Sequence, residues 1–114
     1  MLPFKNRLTK RKDFEKVQKG GRFFSWDNVM IKVLENGSDE TRIGFIVGLK
    51  FSKKASIRNQ VKRQLRENFQ KELAFIKGGL DIIISLRKRE NEKVKHDQLN
   101  KNIKTLLEKS QLLK

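Results

Sequence analysis

Residues 53–66 read Lys-Lys-Ala-Ser-Ile-Arg-Asn-Gln-Val-Lys-Arg-Gln-Leu-Arg, with six Lys or Arg and no Asp or Glu. Ile57, Val61 and Leu65 recur every four positions, the period of an amphipathic helix. The spacing predicts a helix over 55–76, stopped by Gly78-Gly79. At about 100° per residue, Ile57, Val61, Leu65 and Phe69 spread over an arc of roughly 120°. Lys62, Arg66, Asn59 and Arg63 fill an adjacent arc of roughly 100°, with Arg58 on the border. A solvated helix ordinarily mixes charge signs to gain i,i+4 pairs. One sign alone across these fourteen residues, on a helix that must bury its other side, implies a folded, cationic binding face rather than a basic tail.

The remaining composition narrows the class. The chain has 114 residues, 36% of them hydrophobic, enough for one domain (1–114) with an economical core. It has no cysteine, which excludes a disulfide framework and a Cys-ligated zinc site and fits a reducing cytoplasm. Its apolar runs fall short of the roughly 18 residues a membrane span requires, and Met1 to Arg7 lacks the apolar core of a secretory signal. The formal charge is +15, for which nucleic acid is the first expectation and an anionic membrane surface the weaker one. Residues 1–22, 53–66 and 87–114 contribute +6, +6 and +5, while 23–52 and 67–86 contribute −1 each. The near-neutral blocks carry the strand signals, so core and anion-binding surface alternate along the chain.

Residues 9–19 read as a first helix, with Phe14 and Val17 on one face and Gly20-Gly21 as its stop. Residues 22–34 are rich in aromatic and β-branched types and read as one strand, bent near Asp27-Asn28. Asn36-Gly37 is the hairpin signal before a return strand at 41–50. There Ile43, Phe45, Val47 and Leu49 share one face, and Gly44 and Gly48 leave room for close approach on the other. Leu80 to Leu86 reads as a buried strand, Arg87 to Lys95 as a charged connection, and 95–113 as a last helix with Leu99, Ile103, Leu106 and Leu107 inward. The expected fold is a two-layer α/β (α+β) sandwich, a small mixed sheet with three helices in the order α-β-β-α-β-α.

Ala55-x-x-Arg58-Asn59-x-x-Lys62-Arg63-x-x-Arg66-Glu67 resembles the signature of the bacterial ribonuclease P protein subunit. Asn6-Arg7-Leu8 with Asp13-Phe14-x-x-Val17, Arg42-x-Gly44-Phe45-x-Val47 and Asp81-Ile82-Ile83 resemble its flanking segments in order and spacing. The resemblance covers nearly the whole chain. It implies a left-handed βαβ crossover, against the usual right-handed rule. It also implies partnership with a catalytic RNA, one protein per RNA, in removing the 5′ leader from precursor tRNA in the cytoplasm. No membrane or DNA partner is expected. By the same resemblance Arg58, Asn59, Lys62, Arg63 and Arg66 would contact the RNA subunit, and Lys53 and Lys54 would guide its backbone. A cleft between sheet and first helix, at Phe14, Lys16, Gln18 and Lys32, would hold the single-stranded leader. Three positions depart from the pattern: Gln60 replaces a frequent Arg, and Gln18 and Lys32 stand where some members carry aromatics. That shifts the expected leader contacts from stacking toward polar and electrostatic ones.

Other residues leave alternatives open. Phe14 is either core or cleft floor; Phe23, Phe24 and Trp26 either pack or stack on RNA. His96, the one histidine, reads as a surface residue rather than a metal ligand. The thirteen acids are scattered, so no catalytic residue is expected in the protein, and Mg2+ would be held mainly by the RNA. Two rival readings are a purely structural RNA-binding protein and a DNA-binding module using Asn59 and Arg63 on base edges. The DNA reading is weakened because strands flank the basic helix, leaving no partner helix for a helix-turn-helix.

Overall fold

The fold was analysed in a computed structural model that describes residues 3–26, 28–48, 51–86 and 96–113, with only the backbone for 96–100. Its elements are α1 (Arg11–Gly20), β1 (Arg22–Trp26), β2 (Val29–Glu35), β3 (Arg42–Ile46), α2 (Ala55–Glu72), β4 (Leu80–Leu86) and α3 (His96–Lys109). Short 3-10 turns lie at Phe4–Asn6 and Leu73–Phe75. The four strands form one sheet in the order β1-β2-β4-β3. β1–β2 and β2–β4 are antiparallel, and β3–β4 is parallel, connected through α2. The small mixed sheet with three helices is therefore as the sequence predicts.

Two local expectations change. Residues 22–34 form two strands, not one bent strand: Trp26 pairs with Val29, and the chain reverses between them. The Asx and glycine signals at 36–37 do make a turn, with Gly37 at φ +73° and Ser38 N donating to Asn36 Oδ1 at 2.8 Å. The turn does not close a hairpin, because β4 inserts between β2 and β3. The reason lies in β4 itself. Leu80 to Ile84 and Leu86 are all buried, so this strand needs a neighbour on each edge and cover on both faces, which only a central position supplies.

Alternation along the strands divides the interior. Val29, Ile31, Val33, Ile43, Ile82 and Ile84 face Val61, Leu65 and Phe69 of α2 and Ile103, Leu106 and Leu107 of α3 in the main core. Phe69 is fully buried, its ring 5.6 Å from that of Phe45. On the opposite sheet face Leu8, Val17 and Ile83 form a second cluster with Phe14 and Leu34, and this cluster seats α1. The carboxyl end is stitched back by Lys77 N donating to Leu112 O at 2.8 Å and by an Ile76–Leu113 bridge. The expectations for Leu49, the 87–95 connection, and the Leu99 and His96 side chains fall outside the described residues.

Candidate nucleic-acid interface

Helix α2 has the two-sided character its sequence dictates. Val61, Leu65 and Phe69 are buried, whereas Lys53, Lys54, Asn59, Arg63 and Arg66 are exposed and Lys62 is half-exposed. Among the described residues, none of these cations, nor Arg58, lies in an ion pair. Arg58, on the border of the two arcs, folds back: its Nη1 donates to Ser52 O at 2.9 Å. Lys54 N donates to Ser52 Oγ at 3.2 Å, so Arg58 and Ser52 together brace the loop that enters the helix. Lys62 and Arg66 repel at i,i+4 by a few tenths of a kcal/mol. A polyanion reverses the sign of that repulsion, and the rigid helix keeps the cations in register with it.

The other sheet face is organised by one arginine. Arg42 Nε and Nη2 donate to Asp81 Oδ1 and Oδ2 at 2.9 and 2.7 Å, while Nη1 donates to Asp13 Oδ2 of α1 at 3.1 Å. Asn36 Nδ2 adds a 2.9 Å bond to Asp81 Oδ1. The hydrogen bonds that Asp81 accepts raise the Arg42 guanidinium pKa above its ordinary value, outweighing the opposing effect of burial. The planar fork thus ties α1 to β3 and β4 at once. Beside it the Phe14 ring lies directly over Gly44, where a Cβ would overlap the ring and reach within 2.8 Å of its Cε1. Gly44 is the glycine whose missing side chain admits the close approach expected from sequence. A Cβ added at Gly48 would meet nothing within 4 Å among the described residues. Asn6, also buried, donates to Thr41 O at 2.9 Å and holds the amino-terminal segment along β3.

α1 covers only part of this face. Register pairing gives three cross-strand rows: Leu34, Asp81, Arg42; then Phe23, Lys32, Ile83, Gly44; then Ser25, Met30, Ser85, Ile46. The first row and the Ile83–Gly44 end of the second lie beneath α1. The third row is partly or fully exposed along its whole length. Lys32 reaches toward the end of α1, its Nζ donating to Gln18 O at 2.9 Å. An open strip of mixed polar and apolar residues therefore runs beside α1, on the sheet face opposite α2.

The model of the family described as Ribonuclease P matches residues 2–111. The chain belongs to the ribonuclease P protein family. The protein component of Pseudanabaena sp. (strain PCC 6903) is 37% identical over 114 residues, covering 99% of this chain and 97% of that one. The Thermotoga maritima ribonuclease P protein, solved in complex with 1-(4-fluorophenyl)-2-thiourea, matches with a TM-score of 0.80 and 34% identity, covering 89% of this chain and 96% of that one. The Staphylococcus aureus ribonuclease P protein matches with a TM-score of 0.85 and 25% identity, covering 96% and 98%. The family supplies the protein component of an endoribonuclease that acts in tRNA 5′-leader removal, within a ribonucleoprotein.

The expected site residues divide between the two faces. Those from Lys53 to Arg66 gather on or just ahead of α2. Lys32 meets the backbone carbonyl of Gln18 at the edge of the open strip, and Phe14 is half-buried in the second cluster over Gly44. Lys16, two residues on from Phe14 and so about 200° round the helix from it, is exposed. The Arg42–Asp81–Asp13 cluster was not legible as a unit, since its members come from three elements up to 68 residues apart. No three His, Asp or Glu side chains among the described residues gather to hold a metal ion. Asp13 and Asp81, the acids that do converge, are both bonded to Arg42. No helix of the described residues is long and apolar enough to cross a membrane.

Proposed function

We propose that this chain, as a single domain, works in the cytoplasm with one ribonuclease P RNA, and that its two faces hold two different RNAs. Asn59, Lys62, Arg63 and Arg66 engage the catalytic RNA, with Lys53 and Lys54 along its backbone and Arg58 contributing the donors that Ser52 leaves free. The strip bounded by Phe14, Gln18 and Lys32 receives the 5′ leader of precursor tRNA. The observation that carries this reading is the array of exposed, unpaired cations on α2, set on the opposite side of the sheet from the strip.

The protein's contribution is electrostatic. Each phosphate neutralised releases counterions and adds a salt-dependent increment of affinity, so folded RNA and substrate approach with less repulsion. Mg2+ is assigned to the RNA, whose chemistry it supports, and no protein side chain is assigned a step in bond cleavage. Substrate affinity and magnesium requirement should change more than the chemical step. The test adds the purified protein to the catalytic RNA of the same cell and assays precursor tRNA at low magnesium. Stimulated 5′ processing is expected, and no stimulation would overturn the reading.

A further inference from the structure

Phe23 is an aromatic residue on the α1 face of the sheet that packing within the fold does not account for. Its neighbour Phe24 turns to the opposite face, is half-buried against the main core and carries the Arg22 guanidinium 5.9 Å from its ring centre. Phe23 must therefore project on the α1 side, and there it is 54% exposed. It belongs to the row Phe23, Lys32, Ile83, Gly44. Burial along that row falls from Gly44 and Ile83, buried beneath α1, through half-buried Lys32, to Phe23 at the rim on edge strand β1. An exposed aromatic ring thus lies directly across the strand pair from Lys32, whose ammonium group bonds Gln18 O, at the outer lip of the open strip.

The chemistry of this pair fits one nucleotide of a single strand. An unpaired base has a flat face that stacks on an aromatic ring whatever its sequence, and its phosphate suits a neighbouring cation. A duplex offers no free base face, and with a net charge of +15 the chain favours an anionic partner over a second copy of itself. We propose that Phe23 is the stacking platform for one base of the leader, with Lys32 beside it on the phosphate side. This rests on the leader assignment made above and adds a specific residue to it.

The test measures equilibrium binding of the reconstituted protein–RNA complex to precursor tRNA with a leader of several nucleotides and to the same tRNA without one. Phe23→Ala and Phe23→Leu should each weaken binding of the leader-bearing substrate by about tenfold and leave the leaderless one unchanged. Phe23→Trp, which keeps the ring face, should retain affinity. An abasic residue at one leader position should reproduce the loss in the wild-type complex and add nothing to Phe23→Ala. Wild-type affinity in both Ala and Leu variants, or an equal loss on both substrates, would overturn the stacking role alone. A wild-type complex that does not distinguish the two substrates would overturn the leader assignment and the Phe23 role together.

Discussion

Replacing Arg42 with Met keeps a long, flexible side chain and removes the fork that binds α1 to the sheet. Asp81, with a side chain only 7% exposed, would lose two short hydrogen bonds and Asp13 would lose one. Truncating one partner of a buried ion pair costs about 3–5 kcal/mol. Arg42 is itself 32% exposed and Asp81 keeps its bond from Asn36, so solvent screening and the residual partner reduce the expected loss to about 2–3 kcal/mol. With a urea slope of about 1–3 kcal/mol/M for a small domain, the unfolding midpoint should fall by roughly 0.7–3 M. Lys71→Met, on the exposed side of α2, removes the same charge without the network and serves as the control. Amides of α1 should exchange faster in Arg42→Met than in the control. The pH dependence has a definite sign. A group whose folded pKa is raised contributes stability that is fully present below its unfolded pKa and lost as pH rises through the folded value. For the Arg42 guanidinium that window lies in the strongly alkaline range, so its protonation leaves the wild-type advantage undiminished between pH 6 and pH 9. Equal midpoints for Arg42→Met and Lys71→Met would refute the argument that this arginine holds α1 in place.

Gly44→Ala should destabilise the protein by about 1–3 kcal/mol, because the new methyl meets the Phe14 ring; a chemical melt checks this, and pairing it with Phe14→Leu should recover part of the loss. Arg63→Ala and Arg66→Ala should each weaken binding to the RNA subunit and lower the slope of log affinity against log salt by about 1, read from a salt titration. Lys32→Tyr should change affinity for leader-bearing precursor tRNA and leave leaderless tRNA unaffected, measured by equilibrium binding to the reconstituted complex. Sulfate should raise the thermal midpoint of the free protein, since the like charges of α2 and the amino-terminal block oppose the compact state and bound anions favour it by linkage; a melt with and without sulfate decides it.

Periodicity within single elements was enough to place α2, to assign its packing and cationic arcs, and to set Arg58 between them. The same local information marked α1, its glycine stop, and β4 as a buried strand, because each signal is written in residues three or four positions apart or in one unbroken run. Recognition of the motif at 55–67 rested on that local text as well. Pairing partners were not written there. An apolar run does not say which strands flank it, so the sheet order, the division of 22–34 and the non-hairpin turn at Asn36-Gly37 emerged only when β4 claimed the central place. The same holds for the site. Arg42, Asp13 and Asp81 are three ordinary charged residues until β3, α1 and β4 converge. Phe23 is an ordinary strand aromatic until the register sets it beside Lys32, outside the cover of α1. Sequence alone determined a helix with one packing arc and one cationic arc; tertiary structure decided which sheet face stays open, because that depends on where a short helix stops rather than on any residue beneath it.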